Sequence, residues 1–409
     1  MRILFMSAWY PDPPNNGSKL RIYNLLRGLS KEHNVSLLAF SGQDPGIRST
    51  KLNALCSEVH VIPKRSFNPL SVRATLGFFG SRPRAIADTY APDMALQIHR
   101  QIESNPPDLL LASQWQMAAY WQSFGSVPAI FEEAEAGIFE AKIEAARTPL
   151  HRLRHRLSIL KLRYYSRDLL PRFRVCTVVS TVEEMRLRRL APQYHAIEVI
   201  PNGVDLAAYR DVCGAPVSNT LVFTGSLRYF ANYDAMVWFL DRVFPKIKTR
   251  VPDARLVIVG DHANRALPLD DDIILTGLVD DIRPLVASSS VSIAPIRLGG
   301  GTRLKILEAM ALRSPVVATS IGAEGLDAEH DEHLLIADTP EAYAEAVIRV
   351  LGDARLRRRL SSNAHQLVRE NYDWPVILPR FLSLLERAAS NQMIGTSPLP
   401  QLATTPNQP

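Results

Sequence analysis

Cysteine is scarce in this sequence of 409 residues, which contains three, Cys56, Cys176 and Cys213. Their number is odd, they lie far apart, and their spacing is not that of metal ligands. This pattern favours a protein of a reducing compartment over one built on a disulfide framework.

Long hydrophobic runs are also missing, and none approaches the length of a membrane span. The N-terminal stretch MRILFMSAWYPDPP has a short apolar run that turn residues follow at once. A signal peptide would need a longer apolar core and a small-residue cleavage site. We therefore expect this stretch to be a first buried strand and the protein to be cytoplasmic.

The sequence also lacks the motif G-x-G-x-x-G after any predicted strand, which argues against a dinucleotide-dependent oxidoreductase. Charge is not extreme either. A net charge of +6 is mildly basic and by itself decides nothing about partners. The hydrophobic content of 46% is typical of a globular protein, and the length predicts two domains.

Short apolar runs alternate with helical stretches along most of the chain, a pattern typical of α/β proteins with doubly wound parallel sheets. A turn-rich stretch at 213–219 separates two such sets. We assign residues 1–205 to a first domain and 206–371 to a second. A closing helix is expected at 372–388, and the polar, proline-rich residues 389–409 are predicted to be disordered. The predicted strands are 2–7, 35–40, 59–62, 108–113, 127–133, 175–180 and 196–201 in the first set, and 221–225, 255–261, 272–277, 291–295, 315–319 and 333–338 in the second.

A glycine-rich loop in the second set predicts an anion site. Gly299, Gly300 and Gly301 precede a helix for which Thr302 is the expected N-cap. Free backbone N–H groups in such a loop, together with the positive end of the helix dipole, bind phosphate.

Charged residues around this loop extend the prediction. Arg297, Arg303 and Lys305 add three cations, unless Arg303 and Lys305 merely belong to an exposed helix face. Glu308 lies about a turn and a half inside the helix, where it can accept hydrogen bonds from hydroxyls beside the phosphate. A phosphate flanked by hydroxyls describes a nucleotide.

Two other segments each allow two interpretations. Gly17 and Ser18 open a helix that runs to Leu29, and they indicate either a second anion or sugar site or an ordinary capped turn. Residues 151–174 hold eight Arg or Lys and one acid. They predict either a helix that rests on anionic lipid at the inner face of the plasma membrane or a packed helix with a solvated basic face. In the latter segment Leu153, Leu157, Leu160 and Tyr164 recur at helical spacing.

Several motifs together resemble those of a known family. They are NNGSKLRIYNLL, VIPNGVD, FTGSLRYFANYDAMVWF, VIVGD, LTGLVDDIRPLVASSSVSIAPI, GGGTRLKILEAMALRSPVVATSIGAEG and a closing Tyr-x-Trp helix. Up to about residue 388 the chain resembles the retaining GT-B glycosyltransferases of the glycogen-synthase-like type (glycosyltransferase family 4, group 1). The resemblance implies two Rossmann-like domains facing a cleft, with a C-terminal helix that crosses back to the first domain. It also implies that the first domain binds the acceptor and the second binds a nucleotide sugar.

The resemblance assigns roles around the glycine loop. The family's Glu-x7-Glu motif falls on Gly300 and Glu308. In relatives the second glutamate binds the ribose hydroxyls, so this role passes to Glu308. The first glutamate contacts the donor sugar in relatives and is replaced here by Gly300, so sugar recognition would use the backbone amides of residues 299–302 or another side chain.

The cations of the family site are altered as well. Ser226 stands where relatives often carry Arg, and Arg228 is the nearest cation. The resemblance therefore implies that Arg303 and Lys305, helped by Arg228, neutralise the diphosphate and act catalytically on the charge that grows there.

Further site residues follow from position in the family pattern. Leu278 lies where relatives pack the nucleobase, although it could equally be a core residue. Glu132, Glu133 and Glu135 follow a first-domain strand where the family uses a polar residue on the acceptor side, and Glu133 is our candidate. Asp270, Asp271 and Asp272 form a loop before a strand, and no metal site is expected, because relatives generally bind the diphosphate without one.

These features predict a retaining glycosyltransferase that moves a sugar from a nucleotide diphosphate donor to a glycan or lipid-linked acceptor in cell-surface polysaccharide synthesis. No cofactor beyond the donor co-substrate and no nucleic-acid partner is expected. Two alternatives stay open. One is a non-catalytic nucleotide-sugar-binding subunit, which the missing glutamate favours, and the other is a nucleotide-sugar epimerase on the same fold.

Overall fold

The computed structural model describes residues 1–42, 49–137, 148–212, 214–215, 217–268, 270–299 and 303–390. Within these ranges the strands form two parallel sheets, one after the other along the chain, as the alternating pattern predicts. The first sheet has the order β3-β2-β1-β4-β5-β6-β7. Its strands are β1 (Arg2–Ser7), β2 (Asn34–Ser41), β3 (Glu58–Pro63), β4 (Leu109–Ser113), β5 (Ala129–Glu132), β6 (Val175–Val178) and β7 (Ile197–Val199).

The second sheet repeats this plan with the order β10-β9-β8-β11-β12-β13. In each sheet the chain builds outward in one direction and then reverses, between β1 and β4 in the first and between β8 and β11 in the second. Parallel α/β sheets bind ligands beyond the carboxyl ends of their strands at such a reversal. The strands are β8 (Val217–Thr224), β9 (Arg255–Val259), β10 (Ile273–Gly277), β11 (Ser289–Ala294), β12 (Val316–Ala318) and β13 (Leu335–Ile336).

Helices cover both sheets, because strands with continuous apolar runs have two faces to bury. Buried clusters accordingly lie on either side of each sheet. No helix within the described ranges is long and apolar enough to cross a bilayer. The α-helices are Gly17–Leu29, Thr50–Leu55, Val72–Leu76, Arg84–Thr89, Pro92–Ser104, Gln114–Ala118, Pro149–Leu169, Thr181–Leu190, Phe230–Trp238, Phe244–Arg250, Arg283–Ser288, Leu304–Ala311, Ser320–Ala323, Pro340–Gly352, Ala354–Leu367 and Trp374–Ala389.

The last helix, Trp374–Ala389, crosses back to the first sheet, which confirms that prediction. Its apolar face, including Trp374 and Phe381, is buried in the same cluster as Ile3 of β1. The approach to the first helix is so close that a Cβ on Gly28 would lie 2.4 Å from Leu378 Cδ2. The helix continues one residue past the expected end at 388, and the rest of the predicted disordered tail, 391–409, lies outside the described residues.

The two halves also meet near their carboxyl strand ends. A Cβ on Gly17, at the start of the first helix, would lie 3.1 Å from Leu304 Cδ1. The Arg186 guanidinium forms an ion pair with Glu324 across the same gap, with Nη1 2.6 Å from Oε1. The loops that follow β1 and β11 therefore face a common cleft.

Candidate active site

The glycine-rich loop follows β11, at the point where the second sheet reverses direction. Gly299 has φ = +105°, a backbone conformation that favours glycine. Gly300, Gly301 and the predicted N-cap Thr302 lie outside the described residues. The helix itself spans Leu304–Ala311, and Arg303 is the residue that precedes it.

Arg303 is buried, so its assignment to an exposed helix face is wrong. Its Nη2 donates to the carbonyl oxygen of Gly299 at 2.8 Å and to that of Ile321 at 3.2 Å. The guanidinium thus links the glycine loop to the short helix Ser320–Ala323 that follows β12. Burial lowers the pKa of Arg303.

Lys305 is partly buried, and within the described ranges it has no carboxylate partner. Its Nζ donates to Asn232 Oδ1 at 2.9 Å and lies 4.2 Å from the centroid of the Phe223 ring. Among the described residues no carboxylate oxygen lies within 4.0 Å of it. Desolvation, followed by the nearby Arg303 charge, lowers the pKa of Lys305 to about 7. An anion at this point would supply the missing counter-charge.

Glu308 lies one helical turn beyond Lys305 and is the matching carboxylate of the site. Its Oε1 accepts a hydrogen bond from the Tyr209 hydroxyl at 3.3 Å. Burial raises the pKa of Glu308 to about 7, and the bond from Tyr209 opposes that rise. The carboxyl group has few protein donors, so it can accept hydrogen bonds from the hydroxyls of a ligand.

Three other predicted residues of this half stand apart from that pair. Arg228 forms an ion pair with Asp261, and most of its side chain is exposed. Arg297 forms a bidentate pair with Asp234, with Nη2 2.8 Å from Oδ1. Leu278, just beyond β10, is 81% exposed, so its interpretation as a core residue is wrong. Its exposed side chain remains available to a ligand.

On the opposite side of the cleft, the first helix begins at Gly17. The side chain of Asn16 accepts a hydrogen bond from Lys19 N at 3.0 Å, so the turn is capped in the ordinary way. Ser18 Oγ accepts a further bond from Gln114 Nε2 at 3.0 Å. Gly17 and Ser18 therefore face the cleft, one against Leu304 and the other toward Gln114.

Glu132 has a structural role that the sequence did not reveal. Its Oε1 lies 2.5 Å from Nε of the buried Arg21, and its Oε2 accepts a hydrogen bond from Ser113 Oγ at 2.9 Å. Arg21 Nη1 also donates to Ile200 O, Pro201 O and Asn202 Oδ1, each at 3.0 Å. The pair joins the first helix, β5 and the chain after β7.

Glu133 differs from its neighbour, because it leaves β5 with φ = +57° and lines a cleft. Its Oε2 accepts a hydrogen bond from Gln114 Nε2 at 2.9 Å. Burial, followed by the charge of Glu132, raises the pKa of Glu133. Glu135 lines the same cleft, and burial raises its pKa to about 7. The cleft has a volume of about 490 Å³, large enough for a sugar-sized ligand.

Gln114 lines the same first-domain cleft as Glu133, and the sequence did not identify it. It follows β4 with φ = +70°, a strained conformation for a non-glycine residue. Its amide donates to Ser18 and Glu133 and accepts a hydrogen bond from Trp9 Nε1 at 3.0 Å. A single glutamine after a strand carries no recognisable signal, and neither does Tyr209, which reaches Glu308 from another part of the chain.

Two models of glycosyltransferase families match this chain, one in each half. Residues 15–208 match the family model described as Glycosyltransferase Family 4, and residues 218–353 match the one described as Glycosyl transferases group 1. The chain is 32% identical over 210 residues to a phosphatidyl-myo-inositol mannosyltransferase of Mycobacterium tuberculosis, a match that covers 47% of this chain and 54% of that protein. It is 29% identical over 164 residues to an uncharacterized 44.6 kDa protein in the cps region of Klebsiella pneumoniae, covering 37% and 42%.

The chain thus spans about half the length of the curated relatives it matches. Its fold is similar over 94% of the chain to the crystal structure of Anabaena HepE in complex with UDP-glucose, of which it covers 99%, with a TM-score of 0.67 and 17% identity. The two domain models together cover most of the chain, and the fold of the structural neighbour is similar over nearly its whole length. The chain therefore belongs to the GT-B glycosyltransferases, with a family 4 domain followed by a group 1 domain.

Proposed function

We propose that the protein is a metal-independent glycosyltransferase that moves a sugar from a nucleotide diphosphate donor to a glycan or lipid-linked acceptor, with retention at the anomeric carbon. The observation that carries this proposal is the pair Lys305 and Glu308. Both side chains lie at the reversal of the second sheet, and within the part of the chain that the structure describes neither has an oppositely charged partner at hydrogen-bond distance. A diphosphate and a ribose would complete them.

Each residue of the donor site then has a role. Glu308 accepts hydrogen bonds from the ribose hydroxyls, and Lys305 neutralises the diphosphate. Arg303 holds the glycine loop and adds a positive field at the leaving group. Fixed positive charge beside a leaving diphosphate stabilises the transition state without a proton transfer.

The acceptor would enter the cleft of the first domain. Glu133 is placed there with a raised pKa, so a fraction of its carboxyl groups are protonated near neutral pH and able to hydrogen-bond a sugar hydroxyl. HepE was crystallised with UDP-glucose, which supports a nucleotide-sugar donor. One relative is a protein in a cps region, which supports a role in surface polysaccharide synthesis. The base, the sugar and the linkage depend on pocket shape.

The test is nucleoside diphosphate release from a panel of nucleotide sugars, with glycan and lipid-linked acceptors and with water alone. We expect release with one donor, an α-configured product from an α-configured donor by NMR, and loss in Glu308→Gln. Lys246→Met, which removes a surface cation that pairs with Glu341, is the matched control and should leave release unchanged.

Binding of a nucleotide sugar without any release would instead identify a non-catalytic binding subunit. The replacement of the first motif glutamate by Gly300 is the observation that favours this second function.

A further inference from the structure

The basic helix Pro149–Leu169 has two apolar faces. One packs on the first sheet through Leu162, Tyr165 and Leu169, all buried. The other is the row Leu153, Leu157, Leu160 and Tyr164, whose members lie three or four residues apart and so share a face. Each of these four side chains is at least half exposed. The helix therefore packs by a different set of residues and leaves its predicted apolar row uncovered.

A second group of exposed apolar residues lies between β3 and the helix Arg84–Thr89. Leu70 and Phe79 are each 88% exposed, and Val72 and Leu76 are also mostly exposed. Single apolar residues on a surface are ordinary, but several close together mark an interaction site.

The two groups form one surface. Lys161 Nζ donates to the carbonyl oxygen of Gly77 at 2.7 Å and also to that of Phe78. Lys161 lies on the helix within one turn of both Leu157 and Tyr164. The row on the helix and the segment around Leu76 and Phe79 are thus neighbours, and we call them together the apolar surface.

The two segments that carry the apolar surface are rich in Lys and Arg. Residues 64–90 contain five Lys or Arg and one acidic residue. Residues 149–169 contain six Lys or Arg and one acidic residue. The acid of the first range, Asp88, accepts hydrogen bonds from Ser71 Oγ and from Asn68 N. Arg73 donates to a backbone carbonyl, that of Tyr90 at 3.2 Å. By sequence, both segments therefore carry a net positive charge.

We propose that the apolar surface docks the first domain onto an anionic lipid bilayer. Exposed leucine and aromatic side chains would enter the boundary between headgroups and acyl chains, and the surrounding cations would contact the anionic headgroups. A second copy of the chain is a poorer occupant, because a two-fold contact would bring like-charged surfaces together.

The location of the acceptor cleft agrees with this docking. Lys64, Arg65 and Phe67, from the segment that leads into the apolar surface, line the cleft that also holds Glu133. A docked protein would therefore hold this cleft close to the bilayer, where lipid-linked sugars reside. That last step rests on the proposed function, whereas the docking does not.

The test is flotation of the full chain with vesicles of phosphatidylcholine alone and of phosphatidylcholine mixed with phosphatidylglycerol. We expect binding to the anionic vesicles that weakens as salt is added. Leu76→Ser/Phe79→Ser should lower the affinity roughly tenfold or more, and Leu157→Ser/Leu160→Ser should do the same from the helix side. The control Val217→Ser/Ile274→Ser alters two half-exposed apolar residues of the second domain and should bind as the wild type does.

Three results would overturn the proposal. The first is no flotation with anionic vesicles, and the second is equal flotation of all variants. The third is dimerisation in solution that the same variants abolish, which would assign the apolar surface to a second copy. Release of nucleoside diphosphate into water, measured without vesicles, should be unchanged in these variants, so failed docking and failed transfer give different results.

Discussion

Arg21 in the first domain is a buried cation and Lys305 in the second is a partly buried one, and they differ in what surrounds them. Arg21 contacts a carboxylate at 2.5 Å and three further oxygen acceptors at 3.0 Å. Lys305 has one amide oxygen and an aromatic ring. The first cation is neutralised by its own chain, while the second is held where an external anion can reach it.

This difference separates a structural charge from a functional one. The Arg21–Glu132 ion pair links distant segments, and its two charges balance each other without a ligand. A buried charge that is incomplete has a shifted pKa and lowers the stability of the free protein, and a ligand can reverse both effects. Adjacent glutamates repeat the contrast, since Glu132 pairs with Arg21 and Glu133 lines the cleft.

The largest expected effect comes from breaking the ion pair between Arg21 and Glu132. Arg21→Met should lower the free energy of unfolding by about 3–5 kcal/mol, because it leaves the Glu132 carboxylate buried and unpaired. Urea denaturation measures this loss. Arg27→Met removes a partly exposed pair with Asp205 and should cost less than about 1 kcal/mol. Equal losses in the two variants would contradict a structural role specific to Arg21.

Removing the Glu308 carboxylate should lower the affinity for the nucleotide and leave the stability of the protein intact. Glu308→Gln should weaken nucleotide binding roughly tenfold to a hundredfold, because it replaces a charged acceptor of ribose hydrogen bonds. The free energy of unfolding should stay the same or rise, since burial disfavours the carboxylate. Titration calorimetry and urea denaturation measure the two effects. A large loss of stability with unchanged binding would assign Glu308 to the structure.

Above pH 7 the pH dependence of binding should come mainly from Lys305, because Glu308, whose pKa is also about 7, becomes fully ionised there and changes little further. The Lys305 pKa of about 7 means that the free protein loses this charge as the pH rises through 7. A diphosphate binds the protonated form, so affinity should fall by up to about tenfold per pH unit above that value. Titrations from about pH 7 to about pH 9 avoid the last ionisation of the phosphate near pH 6. Lys305→Arg stays charged over this range and should bind with a nearly flat profile; a profile as steep as the wild type's would exclude Lys305 as the cause.

The smallest effect concerns the strained residue of the first domain. The backbone of Gln114 has φ = +70°. The variant Gln114→Gly should be more stable than Gln114→Ala by about 1 kcal/mol, because glycine adopts this conformation without strain. Both variants lose the bonds to Ser18 and Glu133, so any transfer rate should fall equally in both. Thermal unfolding and the release assay measure these outcomes. Unequal rates would show that backbone strain, as well as the amide, serves the reaction.

Local patterns predicted the fold correctly and supplied the candidate residues of the second domain. Apolar runs that alternate with helices indicated both sheets, and the spacing of Lys305 and Glu308 on one helix brought two charges to the loop after β11. The contacts that distinguish structure from site are long-range. Arg21 reaches Glu132 across 111 positions, and Tyr209 reaches Glu308 across 99. No local pattern contains them, so the sequence did not show that Glu132, next to the candidate Glu133, belongs to a structural ion pair.

The central claim is that Lys305 and Glu308 form an incomplete pair that a nucleotide diphosphate completes. Thermal stabilisation by a panel of nucleoside diphosphates and nucleotide sugars, in the wild type and in Lys305→Met, tests it most directly. We predict that a ligand of one base, at about a hundred times its dissociation constant, adds about 2.7 kcal/mol to the wild type. The same ligand should add little to Lys305→Met, which should be at least as stable as the wild type without ligand. No shift with any nucleotide, or an equal shift in the variant, would contradict the claim.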